Sequence, residues 1–210
     1  MKLREQCRGL TVCVLMIGIG EAAAEYRFDV WTTESGLPNY TVQVVLHSRQ
    51  GDLWVGTADG LARFDGVRFT VFNKVNSPGL PSNKIRALYE DRDGDLWIGS
   101  ERGGLVCYHQ GNFTPFGEQH GLSDRSVISI SGDDGGNLWI FQDNVLLRWQ
   151  GDRFVPDLPD APPFHAPKLL GWSRSGIWAT SRDALQVFLR GKLTTLNVSN
   201  GLTTLRRRAR

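Results

Sequence analysis

Apolar residues occur along this chain in short runs, and glycine-rich polar segments separate one run from the next. Strands of four to eight residues bounded by such turns are typical of antiparallel β-sheet, and Asp65–Gly66 is a strong hairpin signal. The first unit contains four runs, which are Val42–His47, Leu53–Thr57, Leu61–Phe64 and Val67–Phe72. The pattern therefore predicts one small four-stranded sheet.

The same unit occurs four times along the chain. A tryptophan marks the second strand of each unit, and these residues, Trp54, Trp97, Trp139 and Trp178, are 43, 42 and 39 positions apart. The motif Gly36–Pro38 recurs at 79–81 and, as Gly-Leu-Ser, at 121–123. The later units predict strands at Ile85–Glu90, Leu96–Ser100, Gly104–Tyr108, Asn112–Phe116, Val127–Ser131, Leu138–Gln142, Val145–Trp149, Arg153–Val155, Lys168–Trp172, Ile177–Ser181, Leu185–Leu189 and Lys192–Leu196.

Four short strands in each period of about 42 residues are the pattern of a β-propeller blade. We predict an all-β fold with about four antiparallel blades, at residues 42–72, 85–116, 127–155 and 168–196. Because a lone blade cannot bury both faces, Trp54, Trp97, Trp139 and Trp178 are expected to form the structural repeat core between blades. Stacking of one of these rings on a sugar is the alternative.

The segment 26–31 precedes the first blade and resembles the outermost strands of the first two units. It is predicted to be an orphan strand with no blade of its own. In a propeller such a strand closes the ring by pairing with the last blade, which removes an open sheet edge.

Residues 1–24 have the three parts of a signal peptide. A basic start that includes Lys2 is followed by the apolar run 9–20 and by the small residues Ala22–Ala24. A buried core helix or an uncleaved anchor is the alternative interpretation. With cleavage before Glu25, residues 25–205 form the propeller repeats and residues 206–210 a basic tail, and we expect a periplasmic or extracellular location.

Cysteine usage and charge limit the chemistry further. Cleavage removes Cys7 and Cys13, and the remaining Cys107 lies in an apolar run, so we expect a buried, inert thiol and no internal disulfide. The formal net charge of +2 depends on the arginines of the tail. The body carries no basic stripe, and we predict no nucleic-acid partner.

The sequence contains no catalytic, cofactor-binding or metal-binding motif that we could identify, so we expect neither enzyme activity nor a cofactor in this chain. The four histidines do not have metal-ligand spacing. Asp91, Asp93 and Asp95 are similar to a calcium loop, but glycine is at the wrong position and Arg102 stands where the loop needs glutamate. A hairpin turn is the preferred interpretation and an ion site the alternative. An acid/base pair of carboxylates across the channel is a further alternative.

These repeats resemble the two-component regulator propeller repeat. The matching residues are Gly36–Pro38, Gly51–Thr57, Gly60–Leu61, Phe64–Gly66 and Phe69 in the first unit, and Gly79–Pro81, Asp91, Gly94–Ser100, Gly104–Leu105 and Phe113 in the second. The third and fourth units match less well. The resemblance implies an exported sensor domain of a hybrid histidine kinase or diguanylate cyclase, with seven blades in each ring.

The residues left after cleavage, 25–210, suffice for about four and a half repeats, so we expect an incomplete seven-bladed ring, the N-terminal fragment of a longer receptor. A four-bladed ring is the alternative. The resemblance further implies a membrane link only through downstream segments and a homodimer in the full-length receptor.

The expected function is ligand sensing in the periplasm, with a small-molecule or oligosaccharide ligand. In a propeller the loops that connect successive blades gather at one mouth of the ring, and loops at such positions commonly carry function. The loops concerned are Pro38–Thr41, Pro81–Lys84 and Ser123–Ser126. A protein-interaction scaffold and a polysaccharide-active enzyme are the alternatives.

Overall fold

Four antiparallel sheets of four strands each form the regular structure of this computed structural model, which describes residues 28–157, 168–173, 176–180, 184–189 and 192–196. Blades 1 and 2 consist of β1 (Val42–His47), β2 (Leu53–Thr57), β3 (Gly60–Phe64), β4 (Phe69–Phe72), β5 (Ile85–Glu90), β6 (Leu96–Ser100), β7 (Leu105–His109) and β8 (Asn112–Phe116). Blades 3 and 4 consist of β9 (Val127–Gly132), β10 (Leu138–Gln142), β11 (Val145–Trp149), β12 (Phe154–Pro156), β13 (Lys168–Ser173), β14 (Gly176–Thr180), β15 (Leu185–Leu189) and β16 (Lys192–Leu196). The all-β, blade-like prediction is confirmed.

The chain divides into two units, Met1–Val30 and Trp31–Arg210. Only residues 28–30 of the first unit are described, and all four blades belong to the second. The predicted signal peptide at 1–24, the basic tail at 206–210, and Cys7 and Cys13 lie outside the described residues. Within the described residues, we find no helix with the length and apolar character needed to cross a membrane.

Strand ends follow from where the backbone amides find acceptors. The fourth strand of blade 1 begins at Phe69. The sequence analysis had predicted that it begins at Val67, and that prediction is wrong. The carboxylate of Asp65 accepts the N–H groups of Val67 and Arg68, both at 2.9 Å. These two amides therefore stabilise the hairpin turn and are not available to the sheet.

Successive blades pack through their faces and share apolar cores. The innermost strands β1, β5, β9 and β13 contact one another in chain order. Trp54 is buried with Ile85 and Ile98 between blades 1 and 2, and Trp139 is buried with Ile177 between blades 3 and 4. The remaining two core tryptophans, Trp97 and Trp178, are half-buried, and Trp97 packs against the core between blades 2 and 3.

One position of the second strand depends on how close the next blade lies. A Cβ atom on Gly56 would lie 2.6 Å from Ile85 Cγ2, and one on Gly99 would lie 2.7 Å from the carbonyl oxygen of Val127. Both positions therefore need glycine. Blade 3 has Phe141 at this position, fully buried in the core that it shares with blade 4. The interface between blades 3 and 4 is thus built differently from the first two.

Aromatic rings repeat at the outer edges of the first three blades. Each of these blades pairs a ring near the end of its third strand with one on its fourth, with centroids 4.8 or 4.9 Å apart: Phe64–Phe69, Tyr108–Phe113 and Trp149–Phe154. A ring from the preceding segment of the chain contacts each pair: Trp31, Phe72 and Phe116 respectively. Trp31 therefore occupies the position that the last residue of an outermost strand occupies in the next two repeats.

The orphan strand predicted for residues 26–31 is not observed over its described part, because residues 28–31 form no strand. A strand requires a neighbour whose amides and carbonyls it can pair with. Each of the four sheets already has its own fourth strand, β4, β8, β12 or β16, so none of them offers the segment a vacant outer position.

Arginines in the first turns connect the blades at one end. The Nη1 atom of Arg49 donates to the carbonyl of Arg92 at 3.0 Å, and Nη2 of Arg92 donates to the carbonyl of Asp134 at 2.6 Å. Arg49, Arg92 and Asp134 occupy the same position in successive repeats. Each arginine therefore fixes the turn of the blade that follows it.

Candidate functional site

The connecting loops lie at one end of the blades, together with the turns between second and third strands. Strand pairing shows this, because the first residue of each innermost strand lies opposite the last residue of the second strand: Val42 opposite Thr57, Ile85 opposite Ser100, and Val127 opposite Gln142. We call this end the mouth.

A cleft of about 640 Å³ opens at the mouth between blades 2 and 3. Its lining comes from the connecting loops that precede β5 and β9, and from the turns that follow β6 and β10. The residues are Lys84, Glu101, Arg102, Asp124, Arg125, Ser126 and Asp143. Two of the three loops predicted from the sequence, Pro81–Lys84 and Ser123–Ser126, therefore contribute to one cleft, although the sequence alone did not identify the individual residues.

The carboxylate of Glu101 is held by two cations. Lys84 Nζ lies 2.7 Å from Glu101 Oε2, and Arg86 Nη2 lies 2.6 Å from Oε1. The hydrogen bonds from Lys84 and Arg86 lower the pKa of Glu101 below its ordinary value. Arg86 also reaches Gln43 on the innermost strand of blade 1, at 3.4 Å. This network fixes one wall of the cleft, with two cations around one carboxylate.

The opposite wall contains a second ion pair and a loop contact. Arg125 Nη1 lies 3.2 Å from the carboxylate of Asp143. Asp124 Oδ1 accepts the N–H of Gly103 at 2.7 Å, which ties the turn after Arg102 to the connecting loop of the next blade. The hydroxyl of Ser126 is shielded from solvent and has no hydrogen-bond partner among the described residues.

Gln142 positions the loop at 123–126, and sequence reasoning missed this residue. Its Oε1 accepts the N–H of Ser123 at 2.9 Å, and its Nε2 donates to the carbonyls of Ser123 and Arg125 at 2.9 and 3.1 Å. Blades 1 and 2 have Thr57 and Ser100 at this position, and each bonds within its own blade. The break in the Gly-Thr/Ser pattern at residues 141–142 was the available signal.

The third predicted loop, Pro38–Thr41, does not line this cleft. Its backbone is fixed by Asn39, whose Oδ1 accepts the N–H of Thr41 at 2.7 Å. Tyr40 presents a ring that is 85% exposed. The structure thus brings two of the three loops together and leaves the third as a separate surface.

The aspartates at 91–95 form a turn. The carboxylate of Asp91 accepts the N–H groups of Asp93 and Asp95 at 3.0 Å each, and the indole N–H of Trp97 at 2.8 Å. Its oxygens are therefore occupied by donors of the protein. Among the described residues no group of histidine, cysteine and carboxylate side chains is arranged to hold a metal ion.

Two smaller clefts lie at the opposite end, at the same place in successive repeats. One, of about 280 Å³, lies between blades 1 and 2, where the guanidinium of Arg63 lies 5.9 Å from the ring centre of Trp54. The other, of about 310 Å³, lies between blades 2 and 3 beside Trp97 and Trp149. Their recurrence at equivalent positions is what the stacking of similar blades produces.

Cys107 is half-buried on the third strand of blade 2. Burial raises the pKa of its thiol to about 12, and the nearby carboxylates of Asp95 and Asp91 add to the effect. Since the thiolate is the reactive form, this raised pKa disfavours reaction at neutral pH. The thiol is half-buried, whereas the apolar run had predicted a buried one.

Residues 36–59 and 79–102 match the family model of the two component regulator propeller. The blades define a β-propeller domain, and the two matched segments include the first two strands of blades 1 and 2, which confirms the resemblance drawn from the sequence. Among curated proteins, no match to this sequence was found.

Solved structures share the fold. The extracellular domain of a B. thetaiotaomicron protein described as a one component system has a TM-score of 0.63 at 20% identity, over 81% of this chain and 25% of that one. One described as a hybrid two component system, from the same organism, has a TM-score of 0.62 at 24% identity, over 79% and 23%. Virginiamycin B lyase from Staphylococcus aureus has a TM-score of 0.62 at 15% identity, over 78% and 57%. The chain therefore spans about a quarter of the first two proteins.

Proposed function

We propose that this chain is an exported, ligand-sensing propeller domain of a two-component-type signal transduction receptor, and that it is not itself catalytic. The observation that carries the proposal is the charged cleft at the mouth, which two connecting loops of adjacent blades build in a chain with two component regulator propeller repeats. Loops on a rigid sheet scaffold are a common place for ligand binding.

Two observations support the cellular setting. Two of the similar structures are extracellular domains of proteins described as one component and hybrid two component systems. The basic, apolar and small-residue segments at 1–24 are typical of a signal peptide. We therefore place the domain in the periplasm or outside the cell, joined to the membrane and dimerised through other parts of a longer receptor.

The enzyme alternative rests on the fold shared with virginiamycin B lyase. A glycan-cleaving pair would need a carboxylic acid that stays protonated near neutral pH. At the mouth, Lys84 and Arg86 lower the pKa of Glu101, which favours the ionised carboxylate. Glu101 therefore does not fit the role of the general acid. A protein-interaction scaffold is the other alternative to sensing.

A binding screen tests the proposal. The purified full chain would be scanned for ligands that raise its melting temperature, with small polar metabolites and neutral and acidic oligosaccharides as probes. A ligand that binds only the folded state stabilises by about 2.7 kcal/mol at a concentration one hundred times Kd. We expect Arg125→Ala, which removes one charged side chain from the lining of the cleft, to weaken binding at least tenfold.

Arg68→Ala is the matched control, because Arg68 lies in a hairpin outside the mouth and its side chain is 81% exposed. A ligand that binds Arg125→Ala and Arg68→Ala with unchanged affinity, and whose binding is also insensitive to changes in the other two loops, would exclude the mouth as the sensing site. Turnover of a probe would instead support the enzyme alternative.

A further inference from the structure

Charge distribution in the mouth cleft carries information about the kind of ligand. All residues that line it in the described part of the chain are polar, and six of them are charged. Three are cations, Lys84, Arg102 and Arg125, and three are anions, Glu101, Asp124 and Asp143. With no apolar wall, the cleft must recognise its ligand through charges and hydrogen bonds. The six charges of the lining sum to zero, and Arg86, which pairs with Glu101 from behind, adds one positive charge.

Most of these charges are already paired. Glu101 is held by Lys84 and by Arg86 behind it, and Arg125 is paired with Asp143. Two charges of opposite sign remain. Within the described residues, the guanidinium of Arg102 makes no ion pair, and the carboxylate of Asp124 has no cationic partner.

Both remaining charges line the same cleft, and Asp124 is tied to the backbone next to Arg102. Asp124 Oδ1 accepts the backbone N–H of Gly103, the residue that follows Arg102, at 2.7 Å. Gly103 has φ +83° and lies so close to Pro81 that an added Cβ would be 2.4 Å from the proline Cβ, so this turn has little freedom. Ser126 lines the same cleft, but its hydroxyl is shielded from solvent, so a ligand in the cleft does not reach it.

We propose that this cleft binds a small zwitterion that carries an ammonium and a carboxylate group, namely a free amino acid or a short peptide. The ligand carboxylate pairs with the guanidinium of Arg102, whose planar donors fit two carboxylate oxygens. The ligand ammonium donates to Asp124. This inference rests on the proposed sensing function and assigns the ligand class to the same site.

Calorimetric titration of the full chain tests the inference. The probes are the twenty protein amino acids, triglycine, N-acetyl-triglycine, which lacks the ammonium, and triglycine amide, which lacks the carboxylate. We expect at least one zwitterion to bind, and each blocked form to bind roughly tenfold more weakly, the effect of losing one charge-assisted hydrogen bond. The relative affinity of amino acids and triglycine distinguishes the two ligand sources.

Two variants locate the binding. Arg102→Gln keeps a polar side chain but shortens it and loses the charge, and Asp124→Asn keeps an oxygen that can accept the Gly103 N–H. We expect each to weaken zwitterion binding roughly tenfold, with the Arg68→Gln variant unchanged. Circular dichroism and melting temperatures of all three verify that the fold is intact.

The outcomes separate the inference from the proposed function. If zwitterions do not bind, if blocked forms bind equally well, or if both variants bind like the wild type, the zwitterion inference is wrong. A neutral oligosaccharide that binds the wild type, and binds Arg125→Ala more weakly, would contradict the inference while supporting the sensing function.

Discussion

Blades 1 and 2 have similar sequences and very different surroundings. At the same positions of the repeat, Val42 and Val45 of the innermost strand β1 are 44% and 54% exposed, whereas Ile85 and Leu88 of β5 are 0% and 8% exposed. The residue types are alike because both strands carry apolar side chains at the positions that a preceding blade would bury. What differs is that blade 1 lies against β5, while no preceding blade covers β1 among the described residues. The repeat thus determines which side chains the innermost strand carries, and the presence of a preceding blade determines whether they are buried.

The outer edge shows a smaller difference. Blade 2 receives Phe72 from the preceding blade against Tyr108 and Phe113. Blade 1 receives Trp31 against its own ring pair, from a segment that forms no strand. Trp31 therefore makes the aromatic contact of an outermost strand although its own segment is not part of a sheet. This edge contact does not require a complete preceding blade.

The largest difference is expected at the glycine of the Gly-Leu-Pro motif. In blade 2, Gly79 has φ +93° and an added Cβ would lie 2.2 Å from the carbonyl oxygen of Phe113. In blade 1, Gly36 has φ +108° and its Cβ would lie 3.2 Å from Phe69 Cβ, a contact that can adjust. We expect Gly79→Ala to lower the free energy of unfolding by roughly 3–4 kcal/mol, and Gly36→Ala by about 1–2 kcal/mol. Urea unfolding measures both, and equal losses would mean that the two motifs are packed alike.

A medium effect is expected from one substitution made at the same repeat position in two blades. Val127 is fully buried, and Val42 is 44% exposed. We expect Val127→Ala to lower the free energy of unfolding by about 2 kcal/mol, through lost apolar burial and a cavity. Val42→Ala is expected to cost less than about 0.5 kcal/mol. If Val42→Ala is as damaging as Val127→Ala in urea unfolding, β1 is covered in solution.

The smallest effect concerns pH and the turn after the second strand, where blade 2 has Glu101 and blade 1 has Ala58. Hydrogen bonds from Lys84 and Arg86 hold the pKa of Glu101 below its ordinary value of 4.5. A lowered folded-state pKa means that this stabilisation is complete above about pH 4.5 and is lost as the pH falls through the folded-state pKa.

Because the Glu101 side chain is partly exposed, we expect a loss of only a few tenths of a kcal/mol. The wild type should lose this much more stability than Glu101→Gln between pH 6 and pH 3, as measured by urea midpoints. Parallel pH curves for the two proteins would show that the ion pair contributes nothing to stability.

Most of the fold could be predicted from the sequence because blades are local structures. Turn residues such as Asp65 and Gly94 fix hairpins between neighbouring strands, and the period places each unit. The start of the fourth strand was predicted wrongly because the side chain of Asp65 competes with the sheet for the amide of Val67. The strand predicted at residues 26–31 needs a partner distant in sequence, and its described residues 28–31 form no strand. Pattern alone does not reveal either kind of competition.

The site was only partly predictable. The connecting loops could be identified, since their position in a propeller follows from topology. The combination of Arg102 and Asp124 could not, because it depends on how two blades meet across a turn that is one residue longer than in blade 1. Gln142 shows the same limit, because its side chain bonds to a loop 17 and 19 residues away.

The arginines of the first turns bear on how the blades open. Arg49 fixes the turn of blade 2, and Arg92 fixes the turn of blade 3, but Asp134 has no N–H group on its side chain to extend the series. In terms of hydrogen exchange, the amides of blades 1 to 3 are expected to become exposed together, as one cooperative foldon, while blade 4 opens at a lower free energy. The boundary of the exchange unit would then lie after blade 3, where the arginine of the first two repeats is replaced by Asp134.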